Sequence, residues 1–300
     1  MSRSVSYQEA TARERLQQLF DPGSFEEFIP PSARVISPHL AQLNAPVAFD
    51  DGVAIGRATL GGVAVYTAAQ EGGFMGGAVG EVHGAKLVGL LRRAVADRIA
   101  AVVLLVESGG VRLHEANAGL IAVSEVMRAL LDARAAGIPV IALVGGSNGA
   151  FGGMGIVTRC ANVVVMSEEG RLAMSGPEVI ETANGVEEFD SRDRALVWRS
   201  TGGKHRYLMG DCQRIVADDM EAFRIAAREA VAACSSLPSA LSLEALEAEQ
   251  QMLDDRLNNY GALPDPVDIW AAMQMPQAAN IPMLDVDSFI AAAATHRQGV

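Results

Sequence analysis

The chain has 300 residues, of which 50% are hydrophobic and 20% are charged, so it is long enough to bury a large core. Its 36 acidic and 24 basic residues give a net charge of −12, and the absence of a basic stripe argues against a nucleic-acid partner. The longest apolar run covers residues 99–106, far fewer than the roughly 20 residues that a membrane span needs. We therefore expect neither nucleic acid nor a membrane as a partner.

The cysteines and the N-terminal segment both bear on the cellular location. The chain has an odd number of cysteines, which are widely spaced and form no metal-ligand pattern; they are Cys160, Cys212 and Cys234. This is typical of a protein from a reducing compartment. Residues 1–16 are polar and charged, so they lack the apolar core of a signal peptide. The sequence predicts a cytoplasmic protein without a metal site.

The first 48 residues lack the pattern of a core. A helix is expected within residues 7–20, and it ends at the turn signal of residues 21–23. Four prolines then interrupt a stretch without periodicity. We interpret residues 1–48 as an N-terminal helical arm that packs on a partner.

From residue 53 the sequence alternates between strand and helix patterns. A hairpin is predicted over residues 53–58 and 63–67, because Gly61 and Gly62 join two β-rich runs. Further strands are predicted at residues 101–106, 139–144, 162–166 and 171–174, with helices from about 82, over 116–136 and from near 149. This alternation predicts an α/β core with right-handed crossovers over residues 49–235.

Beyond about residue 190 the sequence reads as mostly helical. Helices are expected at residues 220–233 and 242–257, whereas the stretch from residue 258 has no assignable pattern. We interpret residues 236–300 as a helical tail that contacts other subunits.

Two glycine-rich segments follow apolar strands directly, which is where open α/β sheets place ligands. They cover residues 107–112 and 145–153. Glycine allows a ligand to approach the backbone closely, and a helix that begins at the turn leaves N–H groups unpaired. Each segment alone also fits an ordinary strand-to-helix turn. Together they predict a site that binds negative charge on an oxygen atom, an oxyanion hole.

A third glycine-rich segment, residues 71–80, precedes a helix and could admit a flat or phosphorylated ligand. Neither a P-loop nor a dinucleotide-binding pattern is present, which argues against nucleotide cofactors. His114 and Glu115 fit either an acid or base role or the polar first turn of a helix. Three basic residues could meet phosphates, but isolated basic residues are usually surface groups; they are Arg57, Lys86 and Arg112. His83 is interpreted as a helix residue with satisfied hydrogen bonds and not as a ligand.

Residues 145–149 also match the G-x-S-x-G pattern of serine hydrolases. In that alternative Ser147 is the nucleophile and His205 or His296 is the base. The orienting carboxylate would come from Asp190, Asp211 or Asp219. Glycine-rich segments match this pattern easily by chance.

The order of these segments resembles the carboxyltransferase branch of the crotonase superfamily. The most specific part is residues 12–27, which is similar to the opening of acyl-CoA carboxylase β chains. Residues 72–80, 108–115 and the glycine turn through Gly153 follow in the family's order, so the resemblance spans residues 12 to about 235. It implies a crotonase or ClpP-like ββα spiral in a single carboxyltransferase-type domain.

Within that branch, residues 72–77 and 146–153 resemble the β subunits of biotin-independent malonate decarboxylases. The resemblance implies a malonyl thioester carried on the phosphopantetheine-type group of an acyl carrier protein, with no tightly bound cofactor. Carbon dioxide would be lost to leave an acetyl thioester, through an enolate held by backbone amides.

The resemblance also assigns site residues. The catalytic amides would be those of Gly110, Val111, Gly152 and Gly153. The substrate-binding residues would be Gly72, Gly73, Phe74, Met75, Gly76, Gly77, Arg112 and His114.

Two departures from the family pattern matter. No cysteine precedes Cys160, so the N-terminal zinc motif of bacterial acetyl-CoA carboxylase β subunits is missing. The chain also has room for only one of the two crotonase-like halves. A homologous γ subunit is therefore expected to complete the active site, beside an acyl carrier protein and an acyl-transferase subunit. A biotin-dependent carboxyltransferase half and a non-catalytic scaffold for a carrier protein remain alternatives.

Overall fold

The computed structural model describes residues 5–234 and 242–298. In this part of the chain a seven-stranded sheet has its strands in chain order. The strands are β1 (Glu26–Glu27), β2 (Val53–Leu60), β3 (Val63–Gln70), β4 (Val102–Val106), β5 (Val140–Val144), β6 (Val163–Ser167) and β7 (Arg214–Val216). Strands β1 to β3 are antiparallel, and β3 to β7 are parallel.

The helices of the described residues cover both faces of the sheet and extend beyond it. They are α1 (Ala12–Leu19), α2 (Glu81–Asp97), α3 (Asn117–Ala135), α4 (Gly152–Arg159), α5 (Pro177–Asn184), α6 (Arg194–Thr201), α7 (Gly203–Leu208), α8 (Met220–Cys234), α9 (Leu243–Tyr260), α10 (Pro266–Ala272) and α11 (Val286–Ala293). None of them is long and apolar enough to cross a bilayer.

The central strands are buried on both faces, which explains their continuous apolar sequences. Successive side chains of a strand point to opposite faces. Val102 and Leu104 of β4 therefore pack with α2, α3 and α4, whereas Val103 and Leu105 pack with α1 and α8. The predicted α/β core is confirmed.

The first helix belongs to this core. Thr11 and Glu14 form a reciprocal capping box at its start, and Leu16, Leu19 and Phe20 are buried against the sheet and α8. The interpretation of residues 1–48 as an arm outside the core is wrong for this helix, because its apolar stripe supplies one face of the sheet. The other domain bounds stay predictions, and the predicted boundary after residue 235 lies outside the described residues.

The predicted strand at residues 171–174 is also wrong. Arg171 and Leu172 form only isolated bridges, to Gly202 and Ala150. The ladder stops there because the amide of Leu172 donates to Thr201 and that of Ala173 to Ala150, so the segment changes partner at each residue. The short edge strand β7 is absent from the sequence-based prediction, since three residues carry no detectable periodicity.

The C-terminal segment packs mostly on its own chain. Trp270 of α10, Ile281 and Phe289 of α11 form a third apolar cluster with α7 and β7. Helix α9 differs, because none of its residues is buried. The start of α9 agrees with the prediction, since Ser242 caps the helix by accepting a hydrogen bond from the amide of Ala245 at 3.2 Å.

Candidate active site

The two glycine-rich turns lie side by side at the carboxyl ends of β4 and β5. The amide of Ser108 donates to the carbonyl of Gly149 at 2.7 Å, and the amide of Phe151 donates back to the carbonyl of Ser108 at 2.9 Å. These bonds continue the parallel pairing of the two strands beyond their ends. The structure therefore brings together the two segments that the sequence singled out.

The turns approach each other most closely at Gly110 and Gly152. A Cβ atom added to Gly110 would lie 3.2 Å from the Cα atom of Gly152 and 3.2 Å from the carbonyl oxygen of Phe151. Both glycines also have positive φ angles, +118° and +55°, which side-chain-bearing residues rarely adopt. Contact between the two turns thus requires glycine at both positions.

The four predicted catalytic amides differ in their hydrogen bonding. Gly110 donates to the hydroxyl of Ser108 at 3.1 Å, and Gly152 donates to the carbonyl of Met174 at 2.9 Å. Within residues 5–234 and 242–298, the amides of Val111 and Gly153 have no hydrogen-bond acceptor. Gly153 lies in the first turn of α4, where the helix dipole also favours an anion. Two of the four predicted donors are therefore free for a ligand.

The third glycine segment packs against the first turn. The amide of Gly109 donates to the carbonyl of Gly76 at 2.8 Å, and a Cβ atom on Gly77 would lie 1.8 Å from the carbonyl oxygen of Glu107. Gly73 is exposed, and Phe74, Met75 and Gly76 are half-buried; Gly72 is buried against the carboxylate of Glu107. The predicted substrate-binding segment thus borders the oxyanion turns, and its role stays a prediction.

Arg112 lies in a buried cluster of ion pairs. Its side chain has no exposed surface, and its guanidinium contacts Asp51 at 2.9 Å and Glu115 at 3.5 Å. This position argues against the prediction that Arg112 binds substrate, because a fully buried and paired cation supports the turn from the interior. Glu115 is part of the same cluster and is equally inaccessible as an acid or base, whereas His114 is exposed beside the turn.

Of three other residues named from the sequence, two are buried and one is exposed. Lys86 donates to the carbonyls of Asp50 and Val53 at 2.8 and 2.7 Å. Arg57 is on the surface. His83 is fully buried beside the amide nitrogen of Gln70, and burial lowers its pKa to about 3. It is a neutral core residue of α2, as a helix position predicts, but its Nδ1 has no hydrogen-bond partner among the described residues.

Sequence analysis missed a buried ion pair under the turns. Glu107 follows β4 and pairs with Arg15 of α1, and both side chains are almost fully buried. The same carboxylate accepts hydrogen bonds from the hydroxyl of Ser147 at 3.1 Å and from the amide of Asn148 at 3.4 Å. A carboxylate at the end of a buried apolar strand must be paired. The position of Glu107 directly after β4 could therefore have predicted a buried ion pair. The pair joins α1 to both glycine turns.

Arg171 was also missed. It donates to the carbonyl of Ser147, and its guanidinium lies 5.5 Å from the ring centre of Phe151 and 5.0 Å from that of Trp198. It therefore places positive charge beside the second turn and holds that turn in position.

The serine-hydrolase alternative has no triad in the structure. Ser147 donates to Glu107 rather than to a histidine. His205 accepts from the indole of Trp270 at 3.2 Å, and burial lowers its pKa to about 3, which makes it a poor base. His296 lies 2.9 Å from the carbonyl of Met273. The three candidate carboxylates bond to other groups. Asp190 accepts a hydrogen bond from the amide of Arg192, and Asp219 accepts one from the amide of Ala222 in α8. Asp211 pairs with two arginines, Arg206 and Arg256.

Segments that adjoin the turns in the chain carry a set of exposed apolar side chains, which we term the apolar rim. Its large side chains are unusually exposed, at 80% for Leu113 and 70% for Met174, and it also includes Leu120, Ile121, Ile156 and Val179. Large apolar side chains exposed in such number are typical of protein interfaces. In the described part of the chain no group of three His, Cys, Asp or Glu residues could hold a metal ion.

Comparison with known proteins decides the family. The model of the carboxyl transferase domain matches residues 6–268. The chain belongs to this family. This carboxyl transferase family member is 38% identical to the malonyl-S-ACP:biotin-protein carboxyltransferase MADC of Malonomonas rubra, across 96% of the chain and 95% of that relative.

Solved structures agree with the family assignment. A Pseudomonas malonate decarboxylase hetero-tetramer, solved in complex with malonate, is similar with a TM-score of 0.82 and 37% identity, covering 90% of this chain and 97% of the other. The Pseudomonas malonate decarboxylase MdcD-MdcE hetero-dimer is similar with a TM-score of 0.67 and 35% identity, covering 83% and 97%. The resemblance stated from the sequence is confirmed, and so is the predicted crotonase-type α/β fold class.

Proposed function

We propose that the chain is the β-type subunit of an enzyme that decarboxylates a malonyl thioester carried by an acyl carrier protein. The observation that carries the proposal is the pair of free amides, Val111 and Gly153, on two turns that touch at Gly110 and Gly152. The likeness to a Pseudomonas malonate decarboxylase supports the choice of substrate.

The chemistry needs donors of this kind. In decarboxylation the bond between the carboxylate carbon and the α carbon breaks, and its electron pair moves into the thioester as an enolate. Carbon dioxide leaves, and a proton added at the α carbon gives the acetyl thioester. One donor aimed at the enolate oxygen is typically worth about 3 kcal/mol. We assign this task to the amides of Val111 and Gly153, with Gly110 and Gly152 shaping the turns.

We further propose that a homologous γ subunit covers the apolar rim and completes the site. Leu113, Met174 and their neighbours are large apolar side chains that face outward around the turns, and burying them on a partner would be favourable. Substrate would reach the site on the phosphopantetheine-type arm of the carrier protein, which an acyl-transferase subunit loads with malonyl. No cofactor tightly bound to this chain is required.

A second candidate function is carboxyl transfer to a biotin protein. The identity of 38% to the Malonomonas rubra carboxyltransferase supports it. Both reactions generate the same enolate, so the same amides serve either one. They differ only in the acceptor of the carboxyl group.

The two functions are separated by assaying the complex with malonyl-S-carrier protein labelled in the free carboxyl group. We expect labelled carbon dioxide to be released without biotin and with avidin present, and the isolated chain to be inactive. Inhibition by avidin would instead establish the biotin-dependent reaction. Full activity of the isolated chain would overturn the shared site.

A further inference from the structure

Helix α9 carries an apolar stripe that residues 5–234 and 242–298 leave exposed. The stripe consists of Leu243, Leu246, Leu253 and Leu257, which we term the leucine seam. These side chains are 67%, 53%, 44% and 70% exposed. Helices of globular proteins normally bury such a stripe, so the seam needs another explanation.

The spacing of the seam is that of a coiled-coil helix. Its leucines are three, seven and four positions apart, so they occupy a and d positions of successive heptads, and Gln250 occupies the remaining a position. At 3.6 residues per turn they fall in one stripe along a helix of about 27 Å. The seam is therefore a regular surface and not a scatter of single exposed residues.

The helix is held to the rest of the chain by a different face. Arg256 contacts Asp211 at 3.1 Å and Gln298 at 3.2 Å, and Glu249 contacts Arg159 at 3.4 Å. An open cleft of about 750 Å³ lies between α9 and the core. Polar contacts thus orient α9, and of the four leucines only Leu246 borders the cleft, whereas Leu243, Leu253 and Leu257 do not line it.

The charges beside the seam identify the kind of partner. The flanking e positions are Glu247 and Asp254. The g positions are Glu249 and Arg256, which pair with Arg159 and Asp211 of the same chain. In a parallel pair of α9 helices Glu249 would face Asp254, and in an antiparallel pair the e-position carboxylates would face each other. Like charges therefore oppose pairing with a second copy, and a net charge of −12 adds to that repulsion.

We propose that the leucine seam docks a different subunit, one that presents an apolar groove bordered by lysine and arginine side chains. The groove would bury the leucines, and its cations would pair with Glu247 and Asp254. Among the described residues, no hydrogen bond or ion pair of α9 involves the three glycine segments. The proposal therefore stands independently of the reaction at those turns.

Photo-cross-linking in the co-purified complex tests the surface directly. A benzophenone amino acid replaces Leu253, and the matched control replaces Gln251, which is exposed on another side of the same helix. We expect the probe at position 253 to label a stoichiometric subunit other than this chain, in a segment rich in lysine or arginine. Labelling of a second copy, or no more labelling than at position 251, would overturn the proposal.

Introducing charge into the leucine seam tests how much the seam contributes to subunit association. We expect L253E combined with L257E to weaken association with the cross-linked subunit at least tenfold, measured by sedimentation. The control variant, Q251E with N258E, adds the same two charges outside the seam and should change the dissociation constant less than twofold. Circular dichroism and melting of both variants check the fold. Unchanged association of a folded L253E, L257E variant would contradict the docking surface.

Discussion

At the scale of single residues, the structure sorts the predicted oxyanion amides by their partners. Ser108 and Met174 accept from two of them, which leaves Val111 and Gly153 available. An unpaired amide at a functional turn is costly to keep unless a ligand or water satisfies it. The proposed donor to the enolate oxygen is therefore the amide of Val111 and not that of Gly110.

We predict that removing the N–H of Val111 by an amide-to-ester replacement lowers kcat by about 10²–10³, because one oxyanion donor is lost. The side chain stays the same, so KM should change little. The measurement is steady-state release of carbon dioxide by the assembled complex. The same replacement at Ala195, an exposed residue in the first turn of α6, serves as the control. An unaltered kcat for the Val111 ester would remove this amide from the mechanism.

At the scale of elements, the pair of Arg15 and Glu107 connects the first helix to the glycine turns. Its charges are buried, so neither partner can be solvated alone. Glu107 also fills the space beside Gly72 and Gly146, where a Cβ atom would clash with its carboxylate. The position of α1 and the geometry of the turns are therefore coupled.

We predict that Glu107→Gln lowers the free energy of unfolding by about 3–5 kcal/mol, because Arg15 is left buried without a counter-ion. Adding Arg15→Met should recover most of the stability, since the uncompensated charge is then gone. Activity should not recover, because Ser147 and Asn148 have lost a charged acceptor. Urea denaturation and turnover assays measure the two effects. A loss below about 1 kcal/mol for Glu107→Gln would mean that the pair is solvated.

At the scale of the whole molecule, two buried neutral histidines make stability depend on pH. Burial lowers the pKa of both His83 and His205 to about 3, from an ordinary value of 6.5. Below pH 6.5 the unfolded chain takes up protons that the folded chain excludes. Stability contributed above pH 6.5 is therefore lost as the pH falls toward 3.

We predict that the free energy of unfolding falls by about 1.4 kcal/mol per histidine for each pH unit below 6.5. Denaturation between pH 7.5 and 5.0 measures this slope before most carboxylates titrate. Replacing both histidines by glutamine should flatten the slope, provided that the variant folds. A slope that persists in the folded double variant would assign the effect to other groups.

The fold class, the hairpin, the central strands and the place of the glycine turns are predictable from the amino-acid sequence alone. These features depend on local periodicity and on the rule that parallel strands end at one edge of a sheet. Even the contact between Gly110 and Gly152 was foreseeable in outline, since both follow neighbouring strands.

Four features become evident only once the chain is folded: which amides are free, the burial of Arg112, the place of α1 in the core and the exposure of the leucine seam. Each of these depends on partners far away in the chain. Met174 accepts from Gly152, Asp51 pairs with Arg112, and Arg15 reaches Glu107. Such pairings arise from packing, which local sequence patterns do not encode.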